Sequence, residues 1–140
     1  MKTAHLGKQI SLLYRYSQIY FNAALKEYQL GSGQYIFLIS LIKEDGINQE
    51  ELAHRVSIDK ATTARAVAKL EHEGYIRREV SAVDRRAYTL YATEKAKRVY
   101  QALNRILDEW NARLLAGFSD EEKTDFQAFL SRAVENVLRG

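Results

Sequence analysis

The stretch Asn48-Gln49-Glu50-Glu51-Leu52-Ala53-His54-Arg55-Val56-Ser57-Ile58-Asp59-Lys60-Ala61-Thr62-Thr63-Ala64-Arg65-Ala66-Val67-Ala68-Lys69-Leu70-Glu71-His72-Glu73-Gly74 decides the fold. Asn48 followed by Glu51 has the spacing of a capping box, in which each side chain satisfies the other residue's free backbone N–H. It predicts a short helix over 49–56. Ser57-Ile58 make a turn. Asp59 is a second N-cap, opening a helix from Lys60 to about Glu73, and Gly74 is its C-terminal stop. Two helices joined by a few residues, the second longer than the first, have the spacing of a helix-turn-helix.

Working outward, the periodicity changes after Gly74. Tyr75–Val80 and Arg86–Tyr91 are β-compatible, and Ser81-Ala82-Val83-Asp84-Arg85 between them is a polar turn. These runs predict a two-stranded hairpin, a wing beside the second helix. Thr93 caps a long helix from Glu94 to Ala116 that ends at Gly117. Ser119-Asp120-Glu121-Glu122 is another capping box, opening a last helix to about Leu138 that buries Phe126, Phe129, Leu130, Val134, Val137 and Leu138. On the N-terminal side, Leu6, Ile10, Leu13, Tyr14, Ser17, Phe21, Leu25 and Tyr28 recur at helical spacing and predict an amphipathic helix over 5–28. Ser32 caps a second helix, Gln34 to Lys43, closed by Asp45-Gly46. The fold class is therefore mainly α with a small β-hairpin. The chain is read as one unit (1–140), with a winged helix-turn-helix at 34–92 and dimerisation helices at 1–30 and 94–140.

Composition limits the function classes. The 140 residues make about one domain, and a hydrophobic share of 46% suits a packed core. Cysteine is absent, which excludes a disulfide framework and a thiolate metal site. No run approaches about 18 apolar residues, so no membrane partner is expected. The N-terminus lacks a signal-peptide pattern, and a cytoplasmic location is expected. The net charge of +3 is modest, but it is unevenly placed. Residues 55–98 hold eleven Lys/Arg against six Asp/Glu (+5), and the rest holds ten against twelve (−2). A localised basic field is the footprint of a polyanion binder, although a solvated charged surface gives the same count.

The helix 60–73 divides into two faces. Thr63, Val67 and Leu70 fall on one side and pack inward. Lys60, Ala61, Thr62, Arg65, Ala66 and Lys69 fall on the other, where small residues let the backbone approach a major groove. Arg65 has the reach for a bidentate contact to guanine O6/N7, Thr62 for a base or phosphate, and Lys60 and Lys69 for phosphates. In the hairpin, Arg85 and Arg86 stand side by side, a repulsive arrangement for folding that a narrow minor groove would relieve. Asp84 is read as pairing with a neighbouring arginine and fixing its direction, as a turn residue with an Asx bond, or both. Arg77 and Arg78 are weaker candidates, since strand alternation sends them to opposite faces.

With those residues in view, the run Gln49-Glu50-Glu51-Leu52-Ala53 … Ile58-Asp59-Lys60-Ala61-Thr62 … Leu70-Glu71-His72-Glu73-Gly74-Tyr75-Ile76-Arg77-Arg78 … Asp84-Arg85-Arg86 … Leu90-Tyr91-Ala92-Thr93-Glu94-Lys95-Ala96 resembles the MarR family of bacterial and archaeal transcription regulators. The likeness extends over nearly the whole chain. Its most specific parts are the Leu-Glu-x-x-Gly block and the Asp-x-Arg wing motif, which falls on Asp84 and Arg86. The resemblance implies a DNA-binding regulator, a homodimer built from the terminal helices on a pseudo-palindromic operator, and release by a small anionic or aromatic compound. One departure is Gly31-Ser32-Gly33, where the family usually has a Leu-Thr type cap. A dimer also follows from the broad apolar faces around Trp110, Phe118, Phe126 and Phe129, which flank the DNA-reading module rather than cover it.

Five tyrosines (14, 16, 20, 28 and 35) lie in the first two helices. Tyr14 and Tyr35, with Arg15 as the nearest cation, compose a candidate site for a phenolic carboxylate. Arg15 also matches a helix-1 position that similar proteins use for anionic ligands. The plainer and preferred reading makes the tyrosines interface core and Arg15 an ion-pair partner. No catalytic or metal constellation is found and no cofactor is implied: His5, His54 and His72 lie on separate elements, and no phosphate-binding glycine loop occurs. Two alternatives remain open. One is a winged-helix protein–protein assembly module without sequence-specific DNA binding. The other is a non-specific architectural DNA protein.

Overall fold

The computed structural model describes residues 4–140. They form two compact units, one extending to Leu107 and the other Asp108–Gly140. The elements of the first are α1 (Gly7–Leu25) with a 3-10 turn (Lys26–Tyr28), α2 (Tyr35–Lys43), β1 (Ile47–Asn48), α3 (Gln49–Val56), α4 (Lys60–His72), β2 (Ile76–Val80), β3 (Tyr88–Ala92) and the larger part of α5 (Glu94–Leu114). The second holds the end of α5 and α6 (Asp120–Arg139).

The helix-turn-helix forms where its caps predict it. Asn48 Oδ1 accepts the Glu51 N–H at 2.8 Å, and Asp59 Oδ1 accepts the Thr62 N–H at 2.7 Å. Only half of the first capping box forms, because the Glu51 carboxylate turns to Arg55 (3.1 Å) instead of the Asn48 backbone. Between the helices Ser57 takes the left-handed conformation (φ 56°), and its N–H reaches the His54 carbonyl at 3.2 Å. Gly74 (φ 81°) ends α4, letting the Tyr75 N–H return to the Leu70 carbonyl at 2.9 Å. Leu52, Val67, Leu70, Phe37, Leu38, Leu41 and Leu90 are buried and tie α2, α3, α4 and the sheet into one core. Each such leucine contributes about 1.5–3 kcal/mol relative to exposure.

The sheet differs from the expected hairpin. It has three antiparallel strands in the order β1-β3-β2, with Ile47 opposite Leu90 and Ile76 opposite Ala92. The added strand β1 pairs with the wing strand β3 and leads directly into α3, so the start of α3 is tied to the wing. The Asp45 carboxylate continues this edge by accepting the Ala92 N–H at 3.0 Å.

Two further expectations are corrected. Ser32 does not cap α2. Gln34 occupies the N-cap position, its side chain accepts the Gly31 N–H at 2.9 Å, and the Ser32 N–H is taken by Asn22 Oδ1 at 2.7 Å. A methyl group at Gly31 would lie 2.9 Å from that Asn22 oxygen, so the Asn22 side chain and its bond to Ser32 would have to shift. In the second unit the Ser119–Glu122 capping box forms in both directions. However, α6 buries no residue within the chain, and Phe129 (61% exposed), Leu130, Val134, Val137 and Leu138 all face out. The α6 pattern is amphipathic, but its apolar stripe is open in the single chain.

Candidate nucleic-acid interface

Helix α4 presents its basic residues outward. Lys60, Ala61, Arg65 and Lys69 are exposed, Thr62 is half-buried, and Thr63, Val67 and Leu70 pack inward. Ala66 is a correction: it is buried and belongs to the inner stripe. It lies three residues after Thr63 and four before Leu70, which are the spacings that share a helix face. The outer face is therefore Lys60, Ala61, Thr62, Arg65 and Lys69. From Lys60 to Lys69 the helix rises about 13.5 Å, close to the width of a B-form major groove.

These side chains are organised by neighbours. Lys60 Nζ stands 3.5 Å from Glu50 of α3, an exposed pair of small energetic weight. The Asp59 carboxylate accepts the Thr62 hydroxyl at 2.9 Å as well as its N–H, and the Thr62 oxygen accepts from Arg65 Nη2 at 3.2 Å. The Thr62 backbone and side-chain bonds, in that order, hold the Asp59 carboxyl below its ordinary value of 3.8. Asp59 is thus a charged acceptor at neutral pH, and the Arg65 side chain folds toward the start of α4.

The wing tip is pinned by its own side chains. Ser81 Oγ accepts the Val83 and Asp84 N–H groups (3.2 and 3.3 Å), and Asp84 Oδ1 accepts the Arg86 N–H at 3.0 Å. The Asp84 carbonyl takes the Ala87 N–H at 3.0 Å. Asp84 Oδ1 is also 3.7 Å from Arg86 Nε, while the Arg86 side chain is 95% exposed. Asp84 is thus both a turn residue and a loose partner of Arg86, and Arg85 stands exposed between them. Arg77 and Arg78 are occupied within the fold. Arg77 pairs with Glu79 and lies over the Tyr91 ring, whereas Arg78 pairs with Glu71 (3.1 Å) and lies 5.7 Å from the Tyr88 ring centre. Arg78 and Lys60 also border a cleft of about 330 Å³ between the starts of α3 and α4 and the wing strands.

A second cavity, of about 460 Å³, lies where α1 and α2 meet the helix-turn-helix, with Tyr14, Gln18, Phe21, Tyr35, Phe37 and Thr62 in its wall. Phe21 and Tyr35 pack with ring centres 4.6 Å apart. Burial, and then the neighbouring Tyr14, push the Tyr35 hydroxyl above its ordinary value of 10.0. Two of the three residues read from the sequence as a ligand site meet here. Arg15 does not. It is exposed, and its Nε points back to the Ser11 carbonyl at 3.4 Å. Thr62 and the residues from α2 that complete the wall were missed, because nothing in a linear pattern shows which helices enclose a common space.

Comparison with known proteins gives this geometry its context. The description of the MarR family matches residues 30–88, from the start of the α2 region to the first residue of β3. A MarR transcriptional regulator of Methanosarcina mazei Go1 superposes with a TM-score of 0.89 at 44% identity, with 96% of each chain covered. The chain belongs to the MarR family. This MarR-family transcriptional regulator is also 34% identical over 132 residues to YybA, an uncharacterised HTH-type transcriptional regulator of Bacillus subtilis, covering 94% of this chain and 88% of that one. A MarR-family regulator of Listeria monocytogenes, solved in complex with a 26mer DNA, is 30% identical with a TM-score of 0.87, covering 98% of this chain and 90% of its own. Every candidate on α4 and the wing tip falls inside the matched segment. Among the described residues, no helix is long and apolar enough to cross a membrane.

Proposed function

We propose that this regulator binds duplex DNA as a homodimer on a pseudo-palindromic operator, and that it is a repressor released by a small aromatic ligand. Helix α4 enters the major groove, with Arg65 on a base edge, Thr62 on a base or phosphate, Lys60 and Lys69 on phosphates, and Ala61 allowing close approach. The wing tip, Arg85 and Arg86 with Asp84 as the orienting carboxylate, meets the adjacent minor groove. The observation that carries the reading is the set of outward cations on α4 together with a wing tip whose backbone is fixed but whose Arg86 side chain is 95% exposed. Folding leaves these charges exposed, held at most by weak surface contacts with Glu50, Thr62 and Asp84, so that a polyanion can reach them.

The dimer rests on apolar area left open in the single chain. Leu6 just before α1 and Ile10 and Ile19 on it are 54–62% exposed, and α6 exposes Phe129, Leu130, Val134, Val137 and Leu138. Such faces are covered by a second copy in a symmetric pair. The ligand site is the cavity lined by Tyr14 and Tyr35.

The test is binding to the regulator's own promoter region, followed by fluorescence anisotropy. Replacing Arg65 by Ala is expected to cost about 1–3 kcal/mol and to relax base preference at one position of each half-site. Replacing Arg86 by Ala is expected to weaken binding while the dimer persists. Unchanged affinity in both variants contradicts the assignment.

A further inference from the structure

Helix α4 is held at its two ends by different means. Its start is capped by the adjoining Asp59, and Lys60 meets α3 only through the exposed pair with Glu50. Its end is tied to another helix. Lys95, in the first turn of α5, donates from Nζ to the Glu73 carbonyl at 2.6 Å, and the same ammonium stands 4.4 Å from the centre of the Tyr75 ring. Thr93, just before α5, donates its hydroxyl to the Gly74 carbonyl at 2.7 Å and its N–H to the Tyr75 carbonyl at 3.0 Å. The consecutive carbonyls of Glu73, Gly74 and Tyr75 are thus all taken by Lys95 and Thr93. The Tyr75 hydroxyl in turn donates to the Tyr28 carbonyl at 2.6 Å, where the α1 segment ends.

These bonds differ in kind from the packing along the rest of α4. Thr63, Ala66, Val67 and Leu70 press its inner face onto the core. Apolar burial has no direction, whereas a hydrogen bond weakens steeply once its angle falls below about 120°. The clamp therefore sets the direction of α4 more sharply than the core does. A lysine is also a costly cover for Tyr75. Among the described residues no carboxylate pairs with it, and its long stem loses rotamer freedom when held. A methionine would cover the ring as well. What the ammonium adds is a directed bond, with a cation at the negative end of the α4 dipole.

We infer that Lys95 is a positioning residue for DNA recognition: it locks the end of α4 to the start of α5, fixing the angle of the DNA-reading helix and, with it, the separation of half-sites that the dimer accepts. The inference rests on the reading of the chain as a dimeric operator binder. In such a dimer the two α4 helices must lie one duplex turn apart, about 34–36 Å, and an angular error in each is doubled across the pair. The Lys95 ammonium is turned to the Glu73 carbonyl and the Tyr75 ring, so it acts through α4 and not on a phosphate.

The experiment uses the full chain and the promoter fragment, on which the wild-type footprint marks the operator. Two further fragments have one base pair added or removed at the operator's centre, which shifts the half-sites by about 3.4 Å and turns them by about 35°. The wild type is expected to bind the shifted fragments roughly tenfold more weakly, or worse, as contacts in one half-site are lost. Lys95→Met is expected to bind the natural fragment roughly fivefold more weakly, the bias that one hydrogen bond places on an orientation, and the shifted ones within about threefold of that. Lys95→Arg keeps the charge and the donors and is expected to restore the wild-type discrimination. A salt series separates positioning from contact. Lys95→Met should keep the wild-type log–log slope, whereas a slope shallower by about 0.9 puts Lys95 on a phosphate and overturns the proposal. A merely structural lysine would lower the urea midpoint of Lys95→Met and leave the ratio between natural and shifted fragments as in the wild type, which also overturns it. Should Lys95→Met not fold, Thr93→Val breaks the neighbouring bond to Gly74 and is expected to flatten the same ratio, and an unchanged ratio there counts against the clamp. A wild type that binds all three fragments equally refutes the spacing role alone. A wild type that binds none at low salt refutes the DNA reading, and the clamp's role with it.

Discussion

Replacing Tyr75 by Phe isolates a single bond between the helix-turn-helix and the end of the N-terminal helical segment. Tyr75 is 1% exposed, and its hydroxyl donates to the Tyr28 carbonyl at 2.6 Å across 47 positions of sequence. The phenylalanine ring keeps the packing and the contact with Lys95, whose Nζ lies 4.4 Å from the ring centre. What is lost is one buried hydrogen bond, worth about 1 kcal/mol net, plus the cost of leaving the Tyr28 carbonyl without that donor. Tyr28 is only half-buried, so water reaches part of the vacated position and limits that cost. The expected destabilisation is therefore about 1–2 kcal/mol, against about 3–5 kcal/mol for Tyr75→Ala, which also empties the core site. The assay is urea unfolding followed by far-UV circular dichroism at one fixed protein concentration, because a dimer couples stability to concentration. The transition midpoint should fall with an unchanged m-value. A loss below about 0.3 kcal/mol, or one equal to that of the alanine variant, refutes the reasoning.

Three other outcomes follow from particular groups. Because the folded Asp59 carboxyl is held below its ordinary value of 3.8, its contribution to stability is full above that value and is lost as pH falls through the lower folded one. Asp59→Asn should flatten the acid limb of the urea midpoint plotted against pH, and an unchanged limb removes Asp59 from the account. Gly74→Ala meets only ordinary contact, Lys95 Cδ at 3.8 Å, so its cost should be that of the left-handed backbone alone, about 1 kcal/mol in the same urea assay. Leu130→Asp places a charge on the open apolar stripe of α6. Light scattering should show it shifted from dimer toward monomer, whereas an unaltered dimer excludes this stripe from the interface.

The parts of the fold that were legible in the sequence are those set by short-range chemistry. Asn48, Asp59 and Gly74 act through neighbours three to five residues away, and α3 and α4 begin where their caps place them. Strand β1 escaped because two residues, Ile47 and Asn48, become a strand only through pairing with Leu90 and Thr89, which no local pattern contains. Ala66 is hard to place from sequence because a small residue carries no hydropathy signal strong enough to show its face. Its spacing to Thr63 and Leu70 does place it on the inner face. Arg15 is next to Tyr14 in the sequence, yet on a helix adjacent residues point about 100° apart, and of these two neighbours the cavity receives Tyr14 and not Arg15. The apolar stripe of α6 looks like core in the sequence, because amphipathic pattern alone does not distinguish a surface buried within a chain from one left open in it.

A surface of α4 and the wing that meets the charged backbone and base edges of duplex DNA must bind it in a salt-dependent way. The most direct measurement is the affinity of the wild type and of Arg86→Ala for the promoter fragment across a salt series. Affinity is expected to fall steeply with salt, with a log–log slope of about −0.9 for each phosphate neutralised, and the slope to become shallower by about one such unit when Arg86 is removed. A flat dependence, or the absence of DNA binding at low salt, contradicts it.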